Sequence, residues 1–254
     1  WNTAANGSGP AYSAGSTFSI TSNTVLYAQW TGSSVLVSDN FTSASSGASA
    51  FNNTLAADQS GLLAPVTYAI ANYTQDWQIQ HGNSGQMLLA GWNSGLNGDL
   101  YASLNTNFAA YANTYNQPLK VQFDLLIPSA SDPSNWATFV IGSAQNVFVT
   151  DSRNKFSSLF RFNGGTEQFA SGSDVSTNSL NNGFFWNTNG STITVILSDT
   201  NNAGSAFNGH GSLARIYVNG VLAYARTLAP MAATDAYVSF EANGTFANYD
   251  NLSV

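Results

Sequence analysis

Short runs of β-branched and aromatic residues recur along this chain, each cut off by Gly, Asn, Ser or Asp, while a helical period of 3.6 is nearly absent. This rhythm limits the fold more than any other feature. Runs with strand character fall at 17–20, 25–30, 35–41, 66–70, 76–81, 86–91, 99–104, 119–127, 137–142, 146–150, 158–163, 167–170, 191–198, 213–219, 221–227, 236–241 and 247–254, with one helical turn expected around 104–112. So many short strands must stack as two sheets, so the predicted class is all-β: a two-sheet antiparallel β-sandwich or jelly roll, with a short β-hairpin fragment at its N-terminus. "LKVQFDLLIP" (119–128) alternates cleanly, with Leu119, Val121, Phe123, Leu125 and Ile127 inward and Lys120, Gln122 and Asp124 outward. "ARIYVNGVLAYAR" (214–226) sets Asn219-Gly220 between two alternating runs, the signature of a type I′ hairpin.

Charged residues make up only 7% of the chain, against about 25% in a typical domain. Its polar surface is therefore built from Asn, Ser, Thr, Gln and Gly. A net charge of −7 with six Lys and Arg in all argues against nucleic acid, which needs clustered cations. The same scarcity disfavours anionic membranes, sulfated polymers and uronate polymers as ligands. No apolar run approaches the ~18 residues of a membrane span, so no membrane insertion is expected. Without cysteine, neither a disulfide framework nor a thiolate metal site can form.

A Gly/Ser stretch, "TGSS", separates "LYAQW" from the new run "VLVSDNF", which places a boundary after residue 31. The first part, "WNTAANGSGPAYSAGSTFSITSNTVLYAQW", resembles the C-terminal part of the Listeria–Bacteroides repeat of internalin-like surface proteins. Trp1, Thr3, Gly7, Gly9, Tyr12, Gly15, Leu26, Tyr27, Ala28 and Trp30 carry the match. The family's first strand is missing, so residues 1–31 are a partial repeat. The resemblance implies a spacer and a bacterial, extracellular or cell-surface setting, with other domains of the same longer chain as neighbours. Residues 32–254 resemble the concanavalin A-like lectin/glucanase and laminin G-like sandwiches. The likeness rests on "DNF" (39–41), "FRFNGG" (160–165), "YVNGVL" (217–222) and a closing "YDNLSV" (249–254).

Glucanases of that fold use paired glutamates in an E-x-D-x-E arrangement, and the two glutamates here, Glu167 and Glu241, are not in that motif. A lyase of this fold would need a Tyr or His base, and the R-x-E-x-R and Y-x-K-x-G-x-Y type motifs are absent. His81 in "WQIQH" reads as a strand histidine and His210 in "NGHGS" as a loop residue. No catalytic residue is assigned. Sugar binding needs an aromatic platform rimmed by amides and carboxylates, because pyranose rings have apolar C–H faces ringed by hydroxyls. Trp92, Trp136 and Trp186 in polar, Gly- and Asn-rich settings, with Tyr111 and Tyr115, are the candidates; each could instead plug the end of the core. Asp39 and Asp250 have the apolar parity of the first and last strands of the sandwich. A carboxylate there must be hydrogen-bonded or coordinated. A structural Ca²⁺ held by Asp39 and Asp250 is one expectation, backbone and side-chain hydrogen bonds the other. "SDTNNAGSAFNG" (198–209) starts like a calcium loop but lacks its terminal Glu, so a solvated loop is expected.

The expected function is a noncatalytic, lectin-like carbohydrate-binding module of a secreted multidomain bacterial protein, with polysaccharide as its partner. The alternatives are a structural or adhesive surface domain, and an atypical glycoside hydrolase or polysaccharide lyase.

Overall fold

The computed structural model describes residues 35–41, 58–62, 64–71, 100–127, 136–147, 149, 151–161, 190–243 and 246–254, with strand backbone at 45–46, 79–83, 86–90, 167–171 and 174–178. Before residue 35 it describes 2–4, 9–10, 12, 17, 19–20 and 22–27. The chain divides into two compact units, Trp1–Ser34 and Val35–Val254.

In the first unit the organising residue is Asn2. Its Oδ1 accepts from the Ala4 and Gly9 amides, at 2.8 and 3.0 Å, and its Nδ2 donates to Gly9 O at 2.7 Å. The Asn2 backbone forms an isolated antiparallel bridge with Tyr27. The described residues of the expected strands 17–20 and 25–30 carry no ladder beyond that bridge.

The second unit is an all-β, two-sheet antiparallel sandwich. Its strands in chain order are β1 (Val37–Asp39), β2 (Ser45–Ser46), β3 (Asp58–Gln59), β4 (Tyr68–Ala71), β5 (Ile79–Asn83), β6 (Gln86–Ala90), β7 (Leu100–Asn107), β8 (Leu119–Leu126), β9 (Trp136–Gly142), β10 (Asn154–Arg161), β11 (Glu167–Ser171), β12 (Asp174–Asn178), β13 (Ser191–Asp199), β14 (Ser212–Val218), β15 (Val221–Leu228), β16 (Tyr237–Asn243) and β17 (Phe246–Ser253). One helix, α1 (Ala109–Tyr115), lies between β7 and β8. Among the described residues, β15-β14-β13-β8-β17-β6-β5-β2 form a ten-stranded sheet completed by β1 on β17 and β3 on β1. β12-β11-β10-β9-β16-β7-β4 form a seven-stranded sheet.

The core lies between the sheets and is filled from alternate positions. Phe123 of β8 stacks on Phe139 of β9 at 5.6 Å and meets Phe240 of β16 edge-on at 5.3 Å, and Tyr249 of β17 packs on Phe240 at 4.9 Å. Tyr249 is buried, and its hydroxyl is placed 3.0 Å from the carbonyl oxygens of both Thr138 and Glu241, so its one polar atom is satisfied across the sandwich.

The structure differs from the sequence pattern in several places, and the short strands β2 and β3 fall outside the expected runs. The helix starts later than expected, because β7 runs on to Asn107, opposite Tyr237. Asn116 then ends α1 in the left-handed conformation (φ 46°), with capping bonds to Ala112 O and Asn113 O. Of the run at 146–150, the described residues form no strand; Asn146 has φ 54°, and a turn at Asp151 leads into β10. Strand β12 lies in a Ser- and Thr-rich stretch that lacked an apolar alternation.

Candidate functional site

The site is built by β8, β13, β17 and the hairpin between β14 and β15, on the face of the ten-stranded sheet that points away from the core. Phe123 and Leu125 of β8 are buried, so Asp124 between them points outward. β17 follows the same parity with Ala247 and Tyr249 inward and Asn248 and Asp250 outward, until a bulge at Asn251. Asn251 adopts φ 49°, and the extra residue reverses the alternation, so that Leu252 and Val254 return to the core. Asp250 therefore does not share a face with Leu252 and Val254, as unbroken alternation predicts. It lies opposite Asp124 in the ladder, on the outer face.

Asp124, Asp250, Thr192, Asn219, Asn248 and Ser191 line a pocket of about 260 Å³. Gly190 forms part of its wall with φ 77°, where an added Cβ would stand 3.1 Å from the Leu125 carbonyl oxygen. The Thr192 hydroxyl donates to Asp124 Oδ1 at 2.5 Å and Asn251 Nδ2 donates to Asp124 Oδ2 at 2.8 Å. The Asn251 amide donates to Asp250 Oδ1 at 2.7 Å. Asn219 Oδ1 accepts from the Thr192 amide at 2.9 Å, which fixes the hairpin tip against β13. Asn219 and Gly220 have φ of 50° and 80°, the two positive values a type I′ turn requires. Burial, and then the charges of Asp124 and Asp39, push the Asp250 carboxyl above the ordinary carboxylate range against the pull of the Asn251 amide.

The next row along the same face differs in character. Gln122, Thr194, Tyr217 and Leu222 are successive register partners across β8, β13, β14 and β15, so their side chains share the outer face. Leu222 is 48% exposed and Val221 beside it 56%. A polar row with acceptors and amides thus runs beside a row that ends in an aromatic ring and an exposed aliphatic side chain.

Of the sequence-derived candidates described, Asp250 lines this pocket, and the others lie away from it. Trp92 and Trp186 fall outside the described residues. Trp136 is half-buried and opens β9, opposite Arg161 and Asn243, so it belongs to a strand of the other sheet. Tyr111 is partly buried on α1, packs against the core and sits 6.5 Å from Phe108. Tyr115, at the end of α1, is 62% exposed. Asp39 does lie on the buried face, but Oδ1 accepts from the Phe41 amide at 2.7 Å and Oδ2 from the Tyr68 hydroxyl at 2.9 Å. With Asp39 inward and hydrogen-bonded and Asp250 outward, the pair does not converge on one cation, and these residues do not fit the shared Ca²⁺ site. Among the described residues no group of three or more His, Cys, Asp or Glu is placed to hold a metal. Asp199, in the calcium-like stretch, instead accepts from the Ala203 and Gly204 amides of its own loop, which pull its carboxyl below the ordinary range.

The glutamates do not pair either. Glu167 is on β11 and Glu241 on β16, with β10 and β9 between them, about 14 Å at ~4.8 Å per strand, whereas a retaining pair needs about 5–5.5 Å. Glu241 is buried on the outward-pointing side of the seven-stranded sheet, beside the buried Ser103, Thr138 and Ser239, and Oε2 accepts from the Val149 amide at 3.3 Å. His210 is exposed in a turn, and His81 lies on β5 opposite Ser45.

No family model matches the chain, and no curated protein matches it significantly. Among solved structures it is similar to the carbohydrate recognition domain of Emp46p (TM-score 0.48, 8% identity, covering 73% of this chain and 87% of that one). It is also similar to the alginate lyase Aly36B (TM-score 0.47, 12% identity, covering 85% of this chain and 95% of that one). A third is a sialidase (TM-score 0.43, 11% identity, 73% of this chain), of which the chain spans only 16% of the length. The strand pairing itself, rather than these likenesses, establishes the sandwich.

Proposed function

We propose that the chain is a noncatalytic carbohydrate-binding module of a secreted, multidomain bacterial protein, and that its glycan lies on the outer face of the ten-stranded sheet. The observation that carries the reading is the juxtaposition of the polar row Asp250–Asp124–Thr192–Asn219 with the Tyr217–Leu222 row beside it. A pyranose needs both at once: acceptors and amides for its hydroxyls, and a flat apolar surface for its C–H face. The hydrogen bonds among Thr192, Asp124, Asn251 and Asn219 hold the polar row in place before any ligand arrives, which lowers the entropic cost of binding. The first 31 residues, read as the end of a spacer repeat, support an exported, surface-associated setting.

The test is retention on insoluble polysaccharides and on a glycan array, with Tyr217→Ala and Asn219→Gly beside the wild type. Retention on at least one glycan is expected, weakened about tenfold by Tyr217→Ala through loss of the stacking surface. A folded protein that holds no glycan would sink the reading in favour of a structural or adhesive domain. Release of reducing ends or unsaturated products from any polymer would instead support the hydrolase or lyase.

A further inference from the structure

The pocket also carries information about which glycans it accepts, an inference that rests on the glycan-binding reading above. Asp124 and Asp250 are direct partners in the β8–β17 ladder and line the same pocket. Like charges opposite one another in a ladder are unfavourable, so two carboxylates here are tolerated at a cost to the fold. Among the described residues no Lys, Arg or His lines the pocket to offset them. On the same face, Lys120 and Arg215 share a row four residues along the strands from Asp124, with Ile196 between them. That row is about 13 Å away at ~3.3 Å per residue, beyond the ~10 Å screening length at moderate salt. Burial first, and then the charges of Asp124 and of the inward-facing Asp39, raise the Asp250 carboxyl, in keeping with a recess that disfavours further negative charge.

We propose that this pocket selects neutral, hydroxyl-rich glycans and rejects chains bearing uronate or sulfate, because its two facing carboxylates accept hydrogen bonds from sugar hydroxyls and repel a further anion. Ionised carboxylates accept but do not donate, and sugar hydroxyls are donors, so the match is direct. An added carboxylate at hydrogen-bond range would face two like charges in a partly desolvated recess, an arrangement that strongly disfavours the wrong partner. Asn219 and Ser191 leave the pocket donors as well, so ring and hydroxyl oxygens can also be held.

Matched polymers isolate charge from shape: polygalacturonate and alginate, each beside its carboxyl-reduced form, together with the neutral glycans of the retention panel. In affinity electrophoresis and calorimetry at low salt, carboxyl-reduced or neutral chains are expected to bind at least tenfold more tightly than their uronate counterparts. The gap should shrink to within about threefold at 0.5 M NaCl, where the screening length falls to about 4 Å. It should shrink likewise in the Asp124→Asn/Asp250→Asn double variant, whose fold is checked by its urea midpoint. Because that variant also alters bonds from Thr192 and Asn251, the salt series on the wild type stands as the second measurement. A uronate polymer held as well as or better than its reduced form would overturn the charge selection and leave glycan binding intact. Neutral binding insensitive to both Tyr217→Ala and Asn219→Gly would place the ligand elsewhere and overturn it too. No retention of any polymer would remove the glycan reading and the selectivity together.

Discussion

Asp39 and Asp250 look alike in the sequence, each an acid followed by Asn on a strand at one end of the sandwich, yet they occupy opposite environments. Asp39 is buried, and its charge is met by the Phe41 amide and the Tyr68 hydroxyl, whose own titration is pushed up by burial and then by Asp39. Asp250 faces the pocket and Asp124. The direction of its shift fixes a pH dependence. A carboxyl raised in the folded state above its unfolded value of ~3.9 contributes stability that is complete below that value and lost as pH rises through the folded one. Asp250→Asn does not titrate, so the urea midpoint of the wild type should fall relative to this variant between about pH 3 and pH 7. Parallel midpoints across that range would refute the raised carboxyl. Asp199 and Asp151 are shifted the other way, by loop amides and by the Arg153 guanidinium, so their contributions are lost as pH falls; because both remain in the variant, the comparison cancels them.

At the scale of elements, the hairpin between β14 and β15 is both turn and wall. Its Asn219 serves the backbone through positive φ and the pocket through its amide. These roles separate by substitution. Asn219→Gly keeps the turn and loses the Thr192 bond, at about 1 kcal/mol. Asn219→Val loses that bond and forces a β-branched residue into the left-handed region, which adds roughly 1–2 kcal/mol. Urea unfolding should therefore rank wild type, Gly, Val in falling stability; Val equal to Gly would mean that the turn is not the type I′ form. β17 makes a related point. The unbroken ladder from Asn248 to Asp250 sets Asp250 opposite Asp124, and the extra residue at Asn251 then returns Leu252 and Val254 to the core.

At the scale of the whole molecule, the described core cluster is drawn entirely from Val35–Val254, from Leu36 to Val254. A unit of this size buries enough surface to fold without disulfides. Residues 35–254 produced alone should unfold cooperatively, with a Tm within about 4 °C of the full chain, the shift expected for roughly 1 kcal/mol. A larger loss would mean that the first unit contributes to the stability of the second. The exposed apolar residues of that first unit, Ile20, Val25 and Tyr27, should then alter solubility more than stability.

The sequence by itself determined the class of fold, because a period of two in apolar residues can be satisfied only by strands with one face buried, and runs this short must be stacked. It determined the hairpin at Asn219-Gly220, where a dipeptide specifies the turn, and the inward set of β8. Only the tertiary structure decided the site. Asp124 and Asp250 are 126 residues apart and become partners through ladder register, which local pattern does not encode. That Asp250 meets Asp124 depends on how β17 registers on β8, and the Tyr217–Leu222 row lies beside the polar row only because β13 seats it there. Aromatic residues in polar stretches are visible in any sequence. Which of them share a face with the right acceptors is settled by pairing across strands far apart in the chain.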